Sequence, residues 1–320
     1  ASEGQVPAVQ QLATWASGDR GEISQELLWR TGLDVQRMLF LARLAMVLAG
    51  VLLGAFIGSW ALAWQKRWGM VIALTLFAGA PNLIAHAALV TTDLVATVTY
   101  FAAVYTWWRF LKWRKTRWWL LTAVFLGLAL ATKLTAVLLL PVLFLQLLLF
   151  ATKRRELGRL LAAWLGALPI ALLVLWLIYG LEMGRVSFLP FRMPAATYLR
   201  SWQAVLSHVA GGHLAFFWGE LSKRGWWYYF PLTFLIKTPL VTLVLLLTAV
   251  VVVLQRRALW RTALVLLIPV GALFAAAMVS RLNIGYRHIM PALPFLLVLA
   301  ATSWLGLRRW RLTRALLGLL

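Results

Sequence analysis

The residues from His86 to Asp93 read His-Ala-Ala-Leu-Val-Thr-Thr-Asp and place an imidazole and a carboxylate at the end of a long apolar run. Such a pair can move a proton or hold a charged ligand. Asp93 is the only acid between Asp34 and Glu156. An ionisable group at membrane depth costs about 2.5–3.5 kcal/mol at a helix centre, so it is expected to serve function. The Thr91-Thr92-Asp93 context also suits the cap of a following helix, and the two roles are compatible. Further cations and imidazoles stand in apolar surroundings: Lys133, His213, Lys223, Arg224, Lys237, Arg281, Arg287 and His288. Arginine can grip two phosphate oxygens in a fixed fork, and histidine adds a donor. Snorkelling to headgroups accounts for any one of these cations. For all of them together, an anionic ligand such as a lipid phosphate is the more economical expectation. A divalent metal held by His86, His213 or His288 with Asp93, Glu182 or Glu220 stays open, but no His-Glu-x-x-His spacing is present and no metal ligand is assigned. No Ser/His/Asp triad has a nucleophile-elbow context.

Composition says what kind of chain positions these groups. Of 320 residues, 63% are hydrophobic and 12% charged, and the mean hydropathy is +0.85. These values exclude a water-soluble globular domain and point to a polytopic, all-α membrane protein. The net charge of +22 would need a polar, solvated scaffold to serve nucleic acid, so no nucleic-acid partner is expected. Without cysteine, there is no disulfide or thiolate site.

Residues 1–37 hold five of the nine acids and a helical recurrence at Val6, Val9, Leu12, Ala13 and Ala16. They read as a short amphipathic helix and a loop, and both ends of the chain read as cut. Apolar spans are expected at 38–63, 70–90 with a break near Pro81-Asn82, 94–108, a hairpin over 118–150 turning near Thr132-Lys133, 160–179, 231–254, 262–279 and 289–307. That is about nine spans and the start of a tenth, against a hydrocarbon core of about 30 Å. Residues 181–228, with Pro190, Pro194 and aromatic clusters, are expected as helices lying in the interface. The organisation is therefore 1–37 as the tail of an outer loop, 38–180 as an N-terminal membrane module, 181–228 as an interfacial segment and 229–320 as C-terminal spans. Lys and Arg at 66–67, 109–117, 153–159, 256–261 and 308–314 make up 18 of the 31, and the alternation puts them on one face, which is then cytoplasmic. His86, Asp93, Lys133, the 180–228 segment and the 280–288 connection are expected to meet on the other side. The expected location is the cell (inner) membrane, multi-pass.

Three stretches carry a resemblance: Ala85-His86 to Thr92-Asp93 with Gly127-Leu-Ala-Leu-Ala-Thr-Lys133; Gly212-His213 to Gly219-Glu220 with Gly225-Trp-Trp-Tyr-Tyr-Phe-Pro231 and Lys237-Thr-Pro239; and Asn283-Ile-Gly-Tyr-Arg-His-Ile-Met-Pro291. Together they resemble the lipid-linked-sugar glycosyltransferases of the GT-C superfamily, of the family 39 type related to protein O-mannosyltransferases. The resemblance implies a multi-span enzyme with an outward-facing site. It would move a sugar, a hexose such as mannose, from a polyprenyl-phosphate donor to a hydroxyl of a protein, glycan or lipid acceptor. It nominates Asp93 as the second acid of the family pattern and His86, Lys133, His213, Glu220, Lys237, Tyr286, Arg287 and His288 for donor phosphate or substrate. The family's first acidic motif, the expected catalytic base, has no counterpart in this chain and would precede Ala1. A transporter or flippase of lipid-linked saccharides is the competing expectation. A carrier should string ionisable groups through the midplane, whereas here they gather at one face.

Overall fold

The computed structural model describes residues 11–17, 19–187, 190–212, 214–280 and 282–307. His213, Arg281, the basic run at 308–314 and the first part, residues 6–10, of the helix expected over residues 6–16 lie outside them. From Ala13 to Ser17 the chain makes a 3-10 turn, followed by α1 (Arg20–Gln25) and a π-type turn (Glu26–Arg30). Glu26 ties them by accepting from the Ala13 and Thr14 amides and the Thr14 hydroxyl.

Helix α2 (Val35–Ala78) runs for 44 residues, but Lys66 breaks it with φ 61° and ψ −163°. Gly54 faces Phe77 and Gly58 faces Leu74. These pairs close in on Lys66 from both sides, so α2 is an antiparallel hairpin that reverses at Lys66-Arg67, as the two apolar runs require. It ends at Ala78, Gly79 caps it, and α3 (Pro81–Ala88) restarts with proline in its first turn. The chain then bends by 119° into α4 (Thr92–Trp113).

Helix α5 (Thr116–Thr132) returns alongside α4, and the Thr122 hydroxyl meets that of Thr106 at 3.1 Å. At Lys133 the backbone is extended, a 3-10 turn covers Leu134–Leu138, and α6 (Leu139–Phe150) follows. Arg114, before α5, pairs with Glu156, after α6, at 2.5 Å. Both ends of the 116–150 stretch therefore meet, and it is the expected hairpin turning at Lys133. Helix α7 (Arg154–Ile178) lies parallel to α5, with Trp119 donating to the Ala163 carbonyl and Gly127 against Ala171 and Val174.

The 181–228 segment differs from expectation. Among the described residues it holds one amphipathic helix, α8 (Ala196–Gly211), and two short antiparallel hairpins, β1 (Met183–Arg185) with β2 (Arg192–Pro194) and β3 (Ala215–Phe217) with β4 (Glu220–Ser222). Three-residue strands are too short to leave an alternating pattern in a sequence. Glu182 fastens the first hairpin to α8 by accepting from Thr197 and Arg200. The Thr197 amide and hydroxyl, and then the Arg200 charge, hold its carboxyl below the usual carboxylate range.

The expected single span over 231–254 is corrected. It consists of α9 (Tyr229–Lys237) and α10 (Leu240–Leu254), bent by 112° at Thr238-Pro239. Proline suits the start of a helix but denies the preceding residue helical backbone, so Thr238 is extended. Lys237 thus stands at a bend rather than inside a span. Helices α11 (Arg257–Val279), α12 (Leu293–Ala300) and α13 (Trp304–Leu307) complete the described residues. Among the described residues four helices are long and apolar enough to cross a membrane, or six if each bent pair is one span, with α2 counted once in spite of its reversal at Lys66.

The core lies along α4 and α12. Trp60 of α2 stacks on Trp108 with centroids 5.2 Å apart and touches Phe295 of α12. Trp107 donates to the Leu143 carbonyl at 3.0 Å. Indoles bury a large apolar area, and Trp107 also satisfies its one donor. At one end of this bundle stand the basic turns at 66–67, 114–115 and 256. The opposite end carries Asp93, Lys133, the α9–α10 bend and the 280–288 connection.

Candidate active site

Asp93 occupies the first turn of α4, where a negative charge is favoured by the helix dipole. Neither it nor the capping residue Thr91 makes the side-chain cap bond the sequence allowed. Instead the Asp93 carboxylate accepts from the Lys133 ammonium at 2.7 Å. Their side chains are 10% and 19% exposed. Desolvating two charges costs about what their attraction returns, so such a pair is weak as a source of stability and strong as a device that fixes two groups in one place.

His288 joins this pair. It lies in the 3-10 turn Tyr286–His288, within electrostatic range of Lys133, Arg287 and Asp93, and its Nε2 is buried without a partner. Burial, then the Lys133 and Arg287 charges, hold its pKa down to about 4, with Asp93 pulling the other way. At neutral pH it is an uncharged imidazole that still carries one N–H donor. Arg287, on the same turn, is exposed.

A second set of contacts frames the pair. The Tyr286 hydroxyl is 3.5 Å from Thr238 Oγ1, and burial pushes this phenol up to about 12, so it stays protonated. Asn82 at the start of α3 donates to the Lys237 carbonyl at 3.0 Å. These bonds join α3, the α9–α10 bend and the 286–288 turn around a small cleft. His86 lies one helical turn beyond Asn82 on the same face of α3, and its Nδ1 is buried and unpartnered. Asn283 accepts from the Trp226 amide at 2.6 Å. Gly225 has φ +65°, and a Cβ there would collide with the Asn283 amide. The Gly-Trp-Trp-Tyr-Tyr and Asn-Ile-Gly-Tyr-Arg-His stretches are therefore locked to each other.

The structure brings Asp93, Lys133 and His288 together, with Arg287 and Tyr286 on the turn that carries His288, while Lys237 stands on the α9–α10 bend and His86 on α3. It does not bring in Glu220, which is exposed on β4 and makes no ion pair among the described residues. His213 falls outside those residues. Asn82, Thr238 and Asn283 do not stand out as site residues in the sequence. A signal is present there, since Asn82 and Thr238 each adjoin a proline in an apolar run. Among the described residues no three His, Asp or Glu side chains converge as metal ligands. Beside the site, α2, α3 and α4 enclose an apolar groove of about 370 Å³ lined by Val47, Gly50, Phe77, Leu83, Ala87 and Leu94. A half-buried Lys133 paired with Asp93 and an exposed Arg287 beside His288, next to an apolar groove, are suited to an anion with a long apolar tail.

The profile of the dolichyl-phosphate-mannose-protein mannosyltransferase family matches residues 32–179, just under half of the chain. That part contains His86, Asp93 and Lys133. The crystal structure of ArnT from Cupriavidus metallidurans bound to undecaprenyl phosphate is similar in fold, with a TM-score of 0.62 over 91% of this chain at 18% identity. This chain spans 53% of that protein, about half its length. No curated protein matches its sequence. The resemblance to the GT-C glycosyltransferases is borne out by the family match and the shared membrane fold.

Two outcomes follow from the geometry. In detergent, Asp93→Asn and Lys133→Met should each destabilise the protein by roughly 3 kcal/mol, because each strands a buried charge or donor, and the double variant should recover at least about 1 kcal/mol of the sum. Additive losses in unfolding measurements would show that the two groups act independently. Because the His288 pKa is lowered on folding, the unfolded state binds the extra proton first as pH falls. Its contribution is present above about pH 6.5 and is lost as pH falls towards about 4, by up to about 3 kcal/mol. The apparent Tm of His288→Asn should fall less than wild type over that window.

Proposed function

With the GT-C resemblance as premise, we propose that this chain forms the membrane module of a polyprenyl-phosphate-dependent glycosyltransferase whose site is the Asp93–Lys133–His288 end. By the distribution of Lys and Arg, that end faces away from the cytoplasm of the cell (inner) membrane. The donor is a prenyl-phosphate-linked hexose such as mannose, and the acceptor is a hydroxyl on a protein, glycan or lipid. The observation that carries this reading is the buried Asp93–Lys133 pair with an unpartnered imidazole beside it.

In the reaction, the acceptor oxygen attacks the anomeric carbon, the bond from that carbon to the phosphate oxygen breaks, and prenyl phosphate leaves with the electron pair. The acceptor's proton goes to a carboxylate. Asp93, engaged with Lys133, is assigned to positioning, and the base belongs to the family's first acidic motif. Negative charge grows on the departing phosphate. Lys133 and Arg287 stand where that charge develops, and neutral His288 offers a hydrogen bond without further like-charge repulsion. Preset donors of this kind commonly contribute about 10²–10³ in rate each. Lys237 lies at the rim to meet the approaching anion, and Tyr286 keeps the bend that carries it in place. The groove beside Leu94 receives the first part of the prenyl chain. His86 is assigned to the sugar or the acceptor; Glu220, exposed on β4, takes no part in this arrangement, and His213 lies outside the described residues.

Arg287→Ala, on an exposed side chain, should leave the fold intact and lower transfer of labelled mannose from polyprenyl-phosphate mannose by about 10²-fold or more. Asp93→Asn should lower it as well, through loss of Lys133 placement. Both are measured in membranes holding the protein at its intact length, and full activity in both would remove this site assignment.

A further inference from the structure

At the basic end, far from the proposed chemistry, the belt at 109–117 folds into a defined cluster. The Arg109 guanidinium carbon lies 4.1 Å from the Trp113 ring centre, 4.4 Å from that of Trp118 and 5.4 Å from that of Tyr105. Lys112 stands over Trp108 and Trp113 at 5.3 and 5.1 Å, and Arg117 over Trp118 at 5.1 Å. Trp113 and Trp118 are thus each shared by two cations. Among the described residues no carboxylate pairs with Arg109, Lys112 or Arg117. Glu156, the acid of this face, is taken by Arg114 and by the amide and hydroxyl of Thr152. Arg109 Nε is buried and has no hydrogen-bond partner.

The rule that collects Lys and Arg in cytoplasmic loops concerns their number, and does not require three of them to converge on two indoles. Convergence of like charges is unfavourable unless something offsets it. The ring faces and the carboxyl-terminal end of α4 offset part. They also hold the guanidinium of Arg109 in one orientation, so little freedom is lost when its remaining donors are used.

We infer that Arg109, Lys112 and Arg117, held on Trp113 and Trp118, form a binding site for the phosphodiester headgroup of an anionic phospholipid. At the ends of α4 and α5 (Thr92–Trp113 and Thr116–Thr132) the indoles stand where apolar helices end, the position at which Trp is favoured beside headgroups, and basic clusters beside membrane spans recognise anionic lipids. A bilayer lipid is the occupant rather than a soluble phosphate because Trp113 and Trp118 present apolar ring edges for acyl chains beside the cations.

The test is native mass spectrometry of the full chain released from bilayers of equal phosphatidylglycerol and phosphatidylcholine. Wild type should retain phosphatidylglycerol at least about five-fold over phosphatidylcholine, and Arg109→Gln should lower that retention about five-fold. Lys112→Gln and Arg117→Gln, on exposed side chains, should lower it too. Lys153→Gln, which removes an exposed cation of the same face outside the cluster, should change nothing. If Arg109→Gln fails to fold, the Lys112 and Arg117 variants decide. Equal retention of the two lipids by wild type, equal losses for Lys153→Gln and the cluster variants, or full displacement of phosphatidylglycerol by soluble glycerophosphate would each overturn the inference.

Discussion

The ion pair between Asp93 and Lys133 is the constraint on which the rest of the site depends. It joins the first turn of α4 to the residue that reverses the chain after α5, 40 positions later. Neither group could sit unpaired at the end of an apolar bundle without a cost of several kcal/mol. Together they fix the height of the α4–α5 hairpin against its neighbours. They also place one cation where His288 and Arg287 arrive from a different part of the chain. The core serves the same end, since the aromatic stack of Trp60, Phe101, Trp108 and Phe295 holds α12 against α4 and so delivers the 286–288 turn to Asp93.

The two ends of the bundle handle charge differently. At the basic end, cations lie on indole faces or, in the case of Arg114, pair with the partly exposed carboxylate of Glu156. At the opposite end one cation, Lys133, is half-buried and pinned by an acid, Arg287 stays exposed, and the imidazole of His288 beside them is kept neutral. A pinned ammonium, a fork-shaped guanidinium and a neutral N–H donor put three kinds of polar group close together without building up much like charge. The bonds from Asn82 to Lys237, Thr238 to Tyr286 and Asn283 to Trp226 keep three separate segments in register around that arrangement.

Much of this is legible in the amino-acid sequence. Lys66-Arg67 between two apolar runs, Pro81-Asn82 within one, and Thr132-Lys133 midway through a run too long for one crossing each mark a reversal or break that the backbone makes. Each is a local event that polar residues or proline force on an apolar helix. The bend at Thr238-Pro239 is hidden because a proline at a helix start and a proline at a sharp corner look alike in sequence. Lys237 hints at it as a cation set inside an apolar run. The hairpins at 183–194 and 215–222 are hidden because strands of three residues carry no period. The pairing of Asp93 with Lys133 rather than with its own helix end depends on how α4 and α5 align, which no single sequence states. Glu220 has the right type and neighbours, yet the β3–β4 turn leaves it exposed.

The most direct measurement of the central claim is photocrosslinking of the intact protein with a polyprenyl phosphate that carries its diazirine on the isoprene unit next to the phosphate. Adducts mapped by mass spectrometry should fall on peptides containing 83–94, 133–138 and 283–288. Adducts confined to the basic end, on peptides from 109–119 or 153–159, would contradict the account.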